Sequence, residues 1–291
     1  MPPSPSSLCR QDLAVRALRT IGLASGPPPG AGNRGGAAQG GVGNRGGAAQ
    51  GGGASERTAR FLDIGTGEGE LLVRLARLGF SGDAIDISDA AIEKTRQLLS
   101  RKGIGSIDVR LQDLLELPDE AVYDLVLAFE VLEHVEDDVA AMAKACSLLR
   151  TGGHLIMSVP AHQALWGPTD VLAGHHRRYE GADLDSRLRR AGLEPVARWS
   201  VGVPVLNVLK PLRDRVNARR LRRGAAGAEP GATMEERTKA SGLARVIGAA
   251  DWMWRLAFNR VTLIPVFMLQ RLFLRTDLGQ DYLVIARRPG A

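Results

Sequence analysis

Residues 61–69, Phe-Leu-Asp-Ile-Gly-Thr-Gly-Glu-Gly, constrain this chain more than any other stretch. A short apolar run that ends in glycines at 65, 67 and 69 is a strand giving way to a tight turn. Residues without a Cβ allow the backbone to turn there and to lie close against a ligand. Asp86 closes a second apolar run roughly 20 positions on, the distance expected in a nucleoside-binding βαβ unit. The spacing is not that of a dinucleotide fingerprint, since Gly69 comes one residue early, and Glu68 and Glu70 crowd the helix N-terminus where a pyrophosphate would sit. A diphosphate ligand is therefore disfavoured. Asp63, just before the first glycine, offers a carboxylate to a cationic group, which suits an amino-acid ammonium beside a sulfonium. S-adenosylmethionine is the ligand that fits.

Five ordered segments extend this reading: LDIGTGEGE (62–70), AIDIS (84–88), LQDLLELP (111–118), YDLVLAFEVLEHVEDD (123–138) and LLRTGGHLIMSVP (148–160). In their order and spacing the chain resembles the class I S-adenosylmethionine-dependent methyltransferases, specifically the bacterial group that includes ubiquinone-biosynthesis O-methyltransferases. The resemblance covers residues 56–202 and resumes at 281–288, whereas 26–55 and 203–280 carry no motif of the family. It implies an α/β fold, a doubly wound, seven-stranded Rossmann-like sheet whose last strand lies antiparallel beside the fifth. It also implies a cofactor set of Asp63, Gly65, Gly67, Gly69, Asp86, Ile87, Asp113, Leu114 and Glu130. Asp86 would accept the ribose hydroxyls and Ile87 would pack on the adenine. Asp113 and the Leu114 N–H would read the adenine edge, and Glu130 would approach the methionine portion. The plain alternatives are a strand-end acid for Asp86, a turn residue for Asp113 and a cap for Glu130.

The hydrophobic pattern divides the chain. Residues 1–25 contain a helix over 10–22 expected to pack at the edge of the cofactor site. Residues 26–55 are Gly, Pro, Ala and Gln, with GNRGGAAQGG occurring twice at 32–41 and 43–52. Such a composition buries too little apolar surface to offset chain entropy and reads as a disordered insertion. Strands and helices then alternate: strands 60–64, 83–87, 106–111, 123–129, 153–159, 193–200 and 281–288, with helices 68–78, 89–101, 138–149 and 183–191. Before the last strand lies a helical insertion, 203–280, with a basic cluster (Arg219, Arg220, Arg222, Arg223) and an apolar stretch from Trp252 to Leu274. It reads as a cap over the site or a homodimer contact, or as an interfacial segment meeting anionic lipid.

Charge and cysteine content bound the partners. A net charge of +6 fits an acidic partner, but only 4% of residues are aromatic and no basic stripe alternates with them, so no specific nucleic acid is expected. Cys9 and Cys146 are too few for a disulfide framework. Charges at Arg10 and Asp12 interrupt what a signal peptide would need to be apolar, and Val261–Leu269 is too short to span a bilayer. A cytoplasmic protein is expected, with peripheral contact to the inner membrane face as an option.

A hydroxyl acceptor must lose a proton, and histidine is the usual base near neutral pH. The candidates are His162 after the fifth strand, His134 in the LEH motif, and His176 of the pair 175–176. No metal is expected, because no cysteine or carboxylate stands at ligand spacing beside that pair in the sequence. Arg177, Arg178 and Tyr179, with Trp166 and Asp170, are expected to wall an acceptor pocket. The reading is an S-adenosylmethionine-dependent methyltransferase that methylates an oxygen of a small or lipid-linked acceptor. The alternatives are a non-catalytic partner-binding relative, an RNA methyltransferase or an NAD-dependent oxidoreductase.

Overall fold

The computed structural model describes residues 5–23, 59–225 and 264–290. The repeat at 32–52 and the apolar residues 252–263 lie outside them.

The elements follow the hydrophobic pattern. In chain order they are α1 (Pro5–Thr20), β1 (Arg60–Ile64), α2 (Glu70–Arg77), β2 (Ser81–Asp86), α3 (Asp89–Arg101), β3 (Ile107–Leu111), β4 (Tyr123–Phe129), α4 (Asp138–Leu148) and β5 (Leu149–Pro160). There follow α5 (Pro168–Ala173), α6 (Gly181–Arg190), β6 (Glu194–Val201), α7 (Val205–Ala225), α8 (Ile264–Phe273) and β7 (Asp281–Arg287). The seven strands form one sheet in the order β3-β2-β1-β4-β5-β7-β6. β1 to β5 pair in parallel, and β7 runs antiparallel between β5 and β6.

β1 and β4 read as nearly continuous apolar runs because both faces of a central parallel strand are covered. One face carries Leu62, Val126, Met157 and Tyr282 under α4 and α6. The other carries Phe61, Leu125, Ile156 and Leu283, together with Leu13, Ala17 and Leu18 of α1. Each fully buried aliphatic side chain contributes about 1.5–3 kcal/mol. Caps set the helix starts: the Ser88 hydroxyl accepts from the Ala91 N–H on α3, and the Asp137 carboxylate accepts from the Ala140 N–H on α4. α2 begins two residues later than the sequence suggests, because Gly69 takes a left-handed conformation (φ 72°) as its N-cap.

Strand order reverses between β1 and β4, so the carboxyl ends of these strands open a crevice at the topological switch point. α1 closes one side of it. The insert helix α7 is fastened to the core by polar groups: Thr169 to Asp214, Asn217 to Thr169, Arg213 to Gln280 and Asn207 to the Leu278 carbonyl. Among the described residues, no helix is long and apolar enough to cross a membrane.

Candidate active site

The glycine loop after β1 wraps around Asp86. The Gly65 N–H donates to the Ile85 carbonyl at 2.8 Å and joins the ends of the first two strands. Gly65 has φ 76°, and a Cβ there would stand 2.6 Å from Val131 Cγ2. Glycine is thus required by both conformation and space. The Asp86 carboxylate accepts from the Ser88 N–H at 2.9 Å and the Gly67 N–H at 3.3 Å. Burial nevertheless pushes its pKa up, more than these N–H groups pull it down. Asp63 is buried, and desolvation followed by the charge of Asp86 holds its carboxyl well above the ordinary range. Two acidic groups so placed favour a ligand bearing hydroxyl donors and positive charge. Ile87 is exposed beside them. The Asp113 carboxylate accepts from the Leu115 N–H at 2.8 Å and caps a short turn at Leu114–Glu116, so its turn role is realised.

Glu130 follows β4 with φ 57°, a left-handed conformation rare outside glycine. Its carboxylate accepts from the Ser158 hydroxyl at 2.8 Å and pairs with Arg10 of α1 at 3.2 Å. Burial pushes this carboxyl up, but Arg10, Ser158 and two nearby histidines pull it below the usual range. Arg10 also reaches Asp281 at 3.4 Å. Burial and Glu130 raise Asp281 to about 6.

The histidines separate into two groups. His134 and His175 stack edge to face with ring centroids 5.0 Å apart, and both act on Glu130. Their Nε2 atoms each lie 3.9 Å from Glu133 Oε1. Burial, then the neighbouring His175, lowers His134 to about 4, so its ring is neutral at physiological pH. Burial and Glu130 hold the Glu133 carboxyl well above its ordinary value. His162 (φ 60°) stands elsewhere, with Nδ1 3.3 Å from Glu180 and Nε2 3.7 Å from Asp277. His176 is exposed, and its backbone N–H donates to the Glu133 carbonyl at 2.8 Å.

Two expectations are corrected by these contacts. The acceptor wall is largely structural: Arg178 is buried against Asp170 and the carbonyls of Ala161 and Gln280, Tyr179 is a core residue donating to Asp138, and Arg177 pairs with Asp138. The argument that no carboxylate accompanies the histidine pair fails in space, because Glu133 and Asp170 both stand beside His175. The signal was chain-remote: Glu133 lies in the LEH motif and His175 some 40 residues on, across β5.

Comparison with known proteins agrees with this geometry. Residues 55–178 match the family model described as a methyltransferase domain. A relative from Xanthomonas axonopodis pv. citri, named ubiquinone biosynthesis O-methyltransferase, is 37% identical over 151 residues, covering 47% of this chain and 63% of the relative. A protein of the same name from Methylocella silvestris is 41% identical over 107 residues, covering 36% of this chain and 41% of that one. Over residues 55–178 the chain is thus similar to a methyltransferase domain, built on a seven-stranded Rossmann-like sheet. The matched curated relatives are spanned over less than two thirds of their length. Two solved structures share the fold at low identity. The [4+2]-cyclase SpnF has a TM-score of 0.53 at 18% identity, covering 80% of this chain and 76% of that one. The YcgJ protein of Bacillus subtilis has 0.51 at 11%, covering 80% and 93%.

S-adenosylmethionine is the cofactor of this class, and the methyltransferase domain has residues that fit it. Asp86 lies at the mouth of the glycine loop, and the uncompensated carboxyl of Asp63 is available to a cation.

Proposed function

We propose that this chain transfers a methyl group from S-adenosylmethionine to a hydroxyl oxygen of a small or lipid-linked acceptor. When bound, the cofactor supplies an electrophilic methyl group on its sulfonium. The observation that carries the reading is the glycine loop after β1, whose Gly67 N–H meets Asp86 at the switch point of the sheet with buried Asp63 beside it. Similarity to ubiquinone biosynthesis O-methyltransferases favours oxygen as the acceptor atom. Calorimetric titration of the full chain with S-adenosylmethionine and S-adenosylhomocysteine tests the cofactor. Transfer of radiolabelled methyl to catechol-bearing acceptors tests the chemistry. Micromolar binding with label in the acceptor is expected, and binding of neither adenosyl ligand sinks the reading.

The lipid-linked option draws support from α7, which turns its apolar side outward. Asn207, Asp214 and Asn217 bond to the core, while Val208 and Leu212 are 75% and 61% exposed. Leu272 on α8 is 76% exposed. Exposed Arg215, Arg219, Arg222 and Arg271 flank these positions. Apolar contact combined with basic charge is what reversible binding to anionic lipid requires. In co-sedimentation, the full chain is expected to pellet with phosphatidylglycerol vesicles and to stay in solution with phosphatidylcholine. A Val208→Glu, Leu212→Glu variant should lose most of the pelleted fraction. Equal sedimentation of parent and variant would remove the membrane option and leave a soluble acceptor.

A further inference from the structure

β7 runs antiparallel to β5 and therefore begins where β5 ends. Its first residue, Asp281, stands on the same edge of the sheet as Asp63, Asp86 and Glu130. The ladder fixes its backbone from both sides, with Pro160 opposite on β5 and Val201 on β6. Side chains alternate along a strand. Tyr282 enters the core under α4 and α6, and Asp281 shares with Leu283 the face that α1 covers. A carboxylate, 13% exposed, is thus held beside the crevice by a rigid element.

One guanidinium bridges this group to Glu130. Arg10 Nη1 lies 3.2 Å from Glu130 Oε2 and 3.4 Å from Asp281 Oδ2. The two carboxyls are not equivalent. Glu130 has the shorter contact and also accepts from the Ser158 hydroxyl, which favours its ionised form. Asp281 is raised by burial and by the charge of Glu130, against the pull of Arg10, Arg178 and Arg213. Glu133, in the turn after β4, adds to the negative charge around it. Two carboxyls in one site whose surroundings push them apart mark an acid–base assignment. The cofactor cradle runs from β2 through β1 to Glu130 after β4, which leaves the β5–β7 side, where Asp281 stands, to the acceptor.

We propose that Asp281 is the general base that takes the proton of the acceptor hydroxyl, a role that rests on the methyl-transfer reading. The hydroxyl gives its proton to the Asp281 carboxylate as its oxygen bonds to the methyl carbon, with the electron pair of the broken C–S bond left on sulfur. The proton then passes from Asp281 to water. Arg10 is a positioning residue that acts through the two carboxylates it bridges. A general base works best when its pKa lies near the operating pH. Asp281, at about 6, meets that condition, whereas His134, at about 4, is a far weaker base. His162 is engaged between Glu180 and Asp277, and His176 is exposed.

The test is the pH dependence of methyl transfer from S-adenosylmethionine to catechol by the full chain, beside Asp281→Asn and Arg10→Gln. The parent's kcat should fall about tenfold per pH unit below about 6. Asp281→Asn should lose about 10²–10⁴-fold in kcat and show no such limb, with KM for catechol and affinity for S-adenosylhomocysteine unchanged. Arg10→Gln removes a cation from the pair and should move the limb up by about 1 pH unit or more. Burial raises Asp281 above its unfolded value, so its ionisation works against the fold as pH rises, and asparagine should leave the neutral-pH Tm unchanged or higher. Parent-like kcat in Asp281→Asn, a limb that persists there, or a loss of S-adenosylhomocysteine binding that matches the loss of rate overturns the role. Carbon-13 NMR of the ligand-free parent needs no acceptor. The carboxyl signal missing from Asp281→Asn should titrate near pH 6, and titration at the ordinary value of about 3.9 removes the base. Methyl transfer with the same profile in parent and Asp281→Asn defeats only this inference. A carboxyl that titrates as expected in a chain that moves no methyl group defeats the methyltransferase reading.

Discussion

Replacing Asp170 by asparagine is expected to lower stability by about 3–5 kcal/mol, the largest effect of any single substitution considered for this chain. Asp170 is fully buried and receives Arg178 Nε, His175 Nδ1 and the Gly167 N–H. The asparagine keeps the shape but leaves the Arg178 guanidinium buried without its counter-charge. For a domain of this size that corresponds to a fall in Tm of roughly 6–20 °C. The difference should depend on pH with a definite sign. Burial works against the charged form of Asp170, but His175, Arg178 and the Gly167 N–H outweigh it and hold the group at about 2 in the folded state. Its ordinary value is about 3.9. Its contribution is therefore fully present above pH 4 and is lost as pH falls through 2. Thermal scans of parent and variant should differ most near neutrality and converge near pH 2. A constant difference across that range would mean that the loss comes from packing and not from charge.

Asp86→Ala is expected to reduce affinity for S-adenosylmethionine by about 10²–10⁴-fold, the loss of two hydrogen bonds to a charged acceptor at about 1.5–3 kcal/mol each. The effect on the ligand-free fold should have the opposite character. Burial raises this carboxyl above its unfolded value, so ionising it works against the folded state as pH rises. Alanine should therefore leave the Tm of the ligand-free chain unchanged or slightly higher at neutral pH, while abolishing the thermal shift that S-adenosylmethionine gives the parent. Calorimetry and thermal scans read both quantities on one preparation. Retained micromolar affinity would show that Asp86 only shapes the loop through Gly67 and Ser88.

Much of the framework could be read directly from the chain. The strand at 60–64 and the helix at 89–101 match the structure at both ends, because each is bounded by local chemistry: the apolar run into Gly65, and the Ser88 cap before Asp89. The antiparallel β7 followed from the family resemblance and not from its own residues, since DYLVIAR would serve equally in a parallel strand. The start of α2 was misjudged because Glu68 reads as a helix-starting acid, while the backbone spends Gly67 and Gly69 in left-handed turns first.

The sequence by itself determined the alternation of strands and helices, the glycine turn and the spacing of Asp86, because periodicity and turn chemistry act between neighbours within a few residues. The tertiary structure alone decided which acids and bases meet. Arg10 finds Glu130 and Asp281, Asp170 takes both His175 and Arg178, and Glu133 sits between His134 and His175. It also diverted Arg178 and Tyr179 from a pocket wall into the core. The reason is physical: a charged side chain's role follows from its desolvation and from the charges within about 4–6 Å. In a doubly wound sheet those neighbours arrive from other crossovers, at separations no local pattern records.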